Sequence, residues 1–143
     1  SRRDFWRILY QLLREKVTIF VSTAYLDEAE RCNRLALLDR GRIIGLGTPD
    51  EVKQMMRGTI LEVRASQPRK ATELLRGTLG ARSVGLFGDR VHIVTQDPDA
   101  SRRQVESALR EAGLEIAAIR PIQPSLEDVF VSVIAAGGEE PRP

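Results

Sequence analysis

Cysteine and histidine are almost missing from this sequence: Cys32 and His92 are the single examples among 143 residues. One thiol excludes an internal disulfide framework, and a cysteine-rich zinc site is excluded with it. An unpaired thiol fits a reducing compartment. No apolar run approaches the roughly 18–20 residues that a membrane-spanning helix needs, and no signal-peptide pattern opens the sequence. The expected location is therefore cytoplasmic, with any membrane attachment made through a partner. An excess of one charge is missing too: 22 Lys and Arg stand against 20 Asp and Glu, a net charge of +2. That balance makes no electrostatic case for nucleic acid or an anionic membrane surface. Internal repeats and low-complexity tracts are absent as well. What remains, 42% hydrophobic and 29% charged residues, suits a globular protein with room for one ordinary domain or two very small ones.

Ser1 and Asp4 form a capping-box pattern ahead of a helix whose apolar stripe is Phe5, Ile8, Leu9, Leu12 and Leu13. Residues 17–22 are almost wholly apolar or β-branched, the pattern of a strand buried on both faces of a parallel sheet. A short acidic helix is expected from Tyr25 to about Cys32, then a strand over 34–39 and a second over 43–46, joined through Gly41 as a hairpin. Thr48, Pro49 and Glu51 supply the cap, first position and third position of a helix that carries Val52, Met55 and Met56 and runs to Gly58. After Gly58 the pattern changes. Leu61, Val63 and Ala65 alternate with Glu62 and Arg64, a strand with one wet face. A helix at Ala71, Leu74 and Leu75, a hairpin turning at Gly88 and Asp89, a helix ending at Gly113 and a strand at Leu114, Ile116 and Ala118 come next. The order βαββαβ is the split-βαβ, ferredoxin-like pattern. A last helix starts at Pro124 and Ser125, with Asp128 completing its capping box, and residues 137–143 read as a flexible polar tail.

Residues 21–32 run Val-Ser-Thr-Ala-Tyr-Leu-Asp-Glu-Ala-Glu-Arg-Cys, and this stretch resembles the ATPase subunits of ABC transporters. There a buried strand ends in Ser/Thr-Thr-His before a Leu/Met-Asp/Glu-Glu-Ala helix. Residues 35–52 resemble the next stretch of that family: an apolar strand, a Gly hairpin, then Gly-Thr-Pro-x-Glu before a short helix. The helix at the start is similar to the one after the family's D-loop. Residues 122–130, Ile-Gln-Pro-Ser-Leu-Glu-Asp-Val-Phe, resemble the closing helix of the drug, lipid and polysaccharide export branch. Four pieces in the family's order span nearly the whole chain. The fold they imply is α/β: the C-terminal half of a P-loop ATPase nucleotide-binding domain (residues 1–58), then a ferredoxin-like accessory domain with an extra helix (59–136) and the tail.

An ATPase of this kind needs a phosphate cradle, G-x-x-x-x-G-K-[ST], whose backbone N–H groups and Lys hold the phosphates. No Gly-Lys pair occurs in this sequence. The family's Leu-Ser-Gly-Gly signature and its strand-terminal Asp-Glu pair are absent, and Arg40 follows Asp39 where a carboxylate base should stand. The resemblance places Ala24 where the family's switch histidine reaches the γ-phosphate and orients water, a positioning role. A methyl group neither donates a hydrogen bond nor carries charge, so Ala24 is expected to be non-functional there. It marks either a degenerate nucleotide-binding unit or an engineered replacement. Asp27, Glu28 and Glu30 suit the positive end of a helix dipole and read as that rather than as a metal cluster. Cys32 reads as a small packed residue; Phe5, Trp6 and Tyr10 read as a stripe that packs against the sheet of the whole domain or, in this piece, stands exposed as an aggregating or false dimer surface. His92, far along the chain from Ala24, is assigned no role.

Two functions compete on the sequence. In the first, implied by the resemblance, the full-length protein binds ATP and Mg2+ and hydrolyses ATP to drive export through a membrane permease. It then pairs with a second ATPase unit and lies peripheral to the inner membrane. The present piece would neither bind nor hydrolyse ATP and needs no cofactor, while its apolar helix offers a surface for a homodimer. In the second, the βαββαβ unit is a free-standing small-ligand-sensing or dimerisation module. RNA is disfavoured, since residues 59–143 carry just two aromatics, Phe87 and Phe130.

Overall fold

The computed structural model of the chain describes residues 1–137, a mixed α/β arrangement of six helices and two sheets among those residues. Helix α1 (Arg2–Arg14) starts from the expected capping box, with the Ser1 and Asp4 side chains each satisfying the other's backbone N–H. Its stripe is largely uncovered: Phe5, Ile8 and Leu13 are exposed, and Trp6 is the buried residue of the helix.

Residues 17–22 depart furthest from expectation. They form no strand, and Phe20 is 97% exposed. A parallel-sheet strand takes its hydrogen bonds from strands alongside, and the nearest strands in sequence, β1 (Leu35–Asp39) and β2 (Arg42–Gly47), pair with each other. Helix α2 covers Leu26–Ala29, shorter than expected, because the chain tightens into i→i+3 bonds from Arg31 to Glu28 and from Cys32 to Ala29. Helix α3 (Pro49–Lys53) has the Thr48–Glu51 box as read and then tightens in the same way at Met55 and Met56.

Four strands make the second sheet: β3 (Thr59–Ala65), β4 (Val84–Phe87), β5 (Arg90–Thr95) and β6 (Ile116–Ile122). Their spatial order is β4-β5-β3-β6, with every neighbouring pair antiparallel. Helices α4 (Pro68–Leu79) and α5 (Pro98–Glu111) bury one face, packing Ala71, Leu75, Val105 and Leu109 on Leu61, Val63, Val91 and Ile93. The opposite face is the one read as wet. It is covered too: Ile60 is fully buried and Glu62 is 7% exposed. The cover comes from helix α6 (Leu126–Gly137), the β1–β2 hairpin and the α3 segment, whose Leu126, Val129, Leu35, Leu37, Val52 and Met56 share one core with Ile60. From Ile60 to Val63 the alternation reports two buried faces, while Arg64, further along the face read as wet, is exposed as expected.

Gly137 ends α6 instead of opening a tail, and the rest of the tail, residues 138–143, lies outside the described residues.

Candidate functional site

Ala24 sits in an irregular turn between residues 17–22 and α2, and it is exposed. Thr23 builds that turn: its Oγ1 accepts the Tyr25 N–H at 3.0 Å and donates to Glu28 Oε2 at 2.7 Å. The Glu28 carboxylate also takes the Arg2 guanidinium, with Nε at 2.9 Å and a second nitrogen at 2.8 Å. The Thr23 hydroxyl and then Arg2 hold Glu28 below its ordinary range. Arg2 lies over the Tyr25 ring at 4.4 Å, and Arg31 stands 5.6 Å from the centre of the Trp6 ring. Helix α1 is thus tied to the Ala24 turn by cations on aromatic faces and by a carboxylate.

Beside this turn runs a cleft of about 770 Å³ between α2 and α6, lined by Ala24, Tyr25, Leu26, Glu30, Phe130 and Val131 among others. In its lining, Glu30 Oε1 accepts the Leu126 N–H at 3.1 Å, while Oε2 takes Lys53 Nζ at 2.8 Å. Burial pushes the Glu30 carboxyl up, but Lys53 and the Leu126 N–H outweigh it and the net shift is downward. Cys32, half-buried, offers its thiol to the Glu28 carbonyl at 3.8 Å; burial and the Glu28 charge push its pKa up, away from the reactive thiolate.

These residues do not fit a magnesium nucleotide. Ala24 offers a methyl group, and Glu28 and Glu30 are already engaged by cations and N–H or O–H donors. Among the described residues no group of three or more His, Cys, Asp or Glu is placed to hold a metal. The arrangement holds helices α1, α2 and α6 together.

Sequence reasoning passed over a second cluster. His92, assigned no role, lies with its Nδ1 2.7 Å from Asp128 Oδ1 on α6 and its Nε2 3.4 Å from Glu62 Oε2 on β3. Glu62 is also bonded by Arg90 and Arg120. The signal was a charged residue inside an apolar strand, but the register that sets Glu62 opposite His92 is not written locally.

Residues 47–134 match the family described as ATP-binding protein DrrA1-3-like, C-terminal domain. Over 136 residues the chain is 31% identical to the daunorubicin resistance ATP-binding protein DrrA2 of Streptomyces coeruleorubidus, covering 92% of this chain and 42% of that protein. It is 32% identical over 133 residues to the Nod factor export ATP-binding protein I of Rhizobium leguminosarum bv. viciae, covering 92% of this chain and 40% of the relative. A shorter stretch of 53 residues is 43% identical to the probable multidrug ABC transporter ATP-binding protein YbhF of Escherichia coli K12, or 37% of this chain and 9% of that one. The chain thus spans about two-fifths of the length of the first two relatives. No solved structure matches it.

Proposed function

The chain belongs to the DrrA1-3-like family of ATP-binding proteins, and on that premise we propose that it is the distal part of the ATP-binding subunit of an ABC exporter. The whole subunit binds ATP and Mg2+ and hydrolyses ATP, pairs with a second ATPase unit, and works on a membrane permease from the cytoplasmic side. Residues 1–58 are the end of its nucleotide-binding domain, with Ala24 in the place of the switch histidine. Residues 59–136 are the accessory domain. The strand order β4-β5-β3-β6, with α4 and α5 on one face, supports a ferredoxin-like reading of that domain.

One observation carries the reading. Helix α1 and residues 17–22 have the sequence of buried elements, yet Phe5, Ile8, Leu13, Val17 and Phe20 are exposed. Large apolar side chains exposed in such number mark a surface built to be covered. The ATPase core of a longer subunit is the cover that fits both the apolar stripe and the relatives' greater length.

The test is a titration of this chain with labelled ATP and magnesium. No binding is expected up to about millimolar nucleotide, a bound too weak to be a working site. Micromolar binding to this chain would overturn the claim that its own residues make no nucleotide site.

A further inference from the structure

The first turn of α6 is fastened to the four-stranded sheet through one imidazole. Cross-strand pairing sets Glu62 opposite His92 on one side and opposite Arg120 on the other. Glu62 Oε1 accepts from Arg90 at 2.8 Å and from Arg120 at 3.0 and 3.1 Å, leaving Oε2 to face His92 Nε2 at 3.4 Å. The other ring nitrogen meets Asp128 Oδ1 at 2.7 Å, and the Phe87 ring stacks on the imidazole with centroids 4.5 Å apart. Asp128 is 4% exposed, and its second oxygen accepts the Ser125 N–H and Oγ–H that open α6.

Both imidazole nitrogens are donors only in the protonated ring. The neutral ring donates to one carboxylate and turns a lone pair toward the other, so one of the two loses its imidazole donor. On β3 and β6 the Glu62 charge is still met by Arg90 and Arg120. On α6, Asp128 keeps the Ser125 donors, and the nearby charge of Glu30 opposes its own.

We propose that His92 is a proton-operated latch between α6 and the sheet. The imidazolium bridges Glu62 and Asp128 and holds down the first turn of α6. Loss of its proton loosens that turn together with α2, which Glu30 ties to Leu126.

The directions agree with the geometry. Burial pulls His92 down, but the hydrogen bond and charge of Asp128, with those of Glu62 after them, outweigh it and leave the group raised. A raised histidine stabilises the fold fully below the ordinary value of about 6.5, and that contribution is lost as pH climbs through the folded value. Asp128 and Glu62 are lowered: burial opposes this, and the bonds from His92 and Ser125, and from Arg90 and Arg120, prevail. Their contribution is lost only as pH falls through those depressed values. The latch is closed in the mildly acidic to neutral window between the two.

Because His92 is the chain's sole histidine, its ring C–H resonance in the 143-residue chain reports its titration without ambiguity. The expected midpoint lies above the ordinary histidine value and falls toward it in Asp128→Asn. Amide protection at residues 129–133, normalised to Leu61 and Val63, is expected to drop on the order of threefold or more as pH passes that midpoint. In His92→Gln the step should vanish. Protection of α6 that stays flat across the His92 titration, or a midpoint at or below the ordinary value, overturns the latch. Both measurements on the unsubstituted chain decide the matter even where a variant fails to fold.

Discussion

Glu30 and Leu126, 96 positions apart, meet through a 3.1 Å hydrogen bond in which the Leu126 N–H donates to the Glu30 carboxylate. The first N–H groups of any helix lack partners within it. Here Glu30, the residue that ends α2, supplies one from outside, and its negative charge lies at the positive end of α6. The same carboxylate takes Lys53, so α2, α6 and the residue that ends α3 converge on one side chain.

Truncating that side chain should therefore cost more than its surface position suggests. Glu30→Ala is expected to destabilise the chain by about 1 kcal/mol in urea unfolding, the usual worth of a lost helix cap. Glu30→Gln keeps an acceptor for Leu126 and should cost roughly half as much. Because Glu30 is held below its ordinary value, its contribution is present above the unfolded carboxyl value and lost as pH falls through the folded one. The gap between the native chain and Glu30→Ala should close at low pH. A gap that persists there would mean that the carboxylate charge is not what matters.

Leu126 itself is fully buried in the core that joins the hairpin to the sheet. Leu126→Ala is expected to cost about 3 kcal/mol, the lost transfer energy plus the cavity. The loss should appear in hydrogen exchange as faster opening of α6 and β1–β2, with α4 and α5 nearly unchanged. Uniform loosening of all elements would show instead that the two cores open together.

How much of this was legible in the sequence depends on range. The boxes Ser1–Asp4, Thr48–Glu51 and Ser125–Asp128 span four residues each and stand where their spacing puts them. The hairpin at Gly41 and that at Gly88 were legible for the same reason, since a turn needs only its own residues. Residues 17–22 carry a strand's composition, but a strand exists through its neighbours, and composition cannot supply them. Glu62 reads as solvent-facing because alternation says which face a residue takes and not what covers that face. His92 drew no assignment because Asp128, its partner, lies 36 positions further on, in a helix whose docking the sequence does not specify.

The uncovered face of α1 and residues 17–22 should make this chain self-associate. Sedimentation at rising concentration is expected to show reversible dimers or larger species, weakened by Ile8→Ser with Phe20→Ser. Phe20 is almost fully exposed and Ile8 about half, so the pair should leave stability in dilute solution within roughly 0.5 kcal/mol per site. A strictly monomeric chain at high concentration would count against a surface built to be covered.

Gly58 fixes the junction between residues 1–57 and β3. Its φ is +102°, and a Cβ there would stand 2.7 Å from the Thr95 carbonyl oxygen and 3.0 Å from Gln96 Nε2. The amide side chain can move aside, but the carbonyl belongs to the strand end that pairs with Thr59. Gly58→Ala therefore has two costs, a left-handed backbone and a backbone clash, and is expected to destabilise by about 1–3 kcal/mol. Gly77→Ala is the matching control. Gly77 lies within α4, where an added Cβ meets nothing within 4 Å. There the alanine should stabilise by up to about 1 kcal/mol, since it removes freedom from the unfolded chain. Opposite signs for the same chemical change, read as shifts in urea midpoint, would tie the cost at position 58 to the path of the chain into β3. Equal effects at both glycines would mean that the junction gives way easily and that residues 1–57 can shift against the sheet.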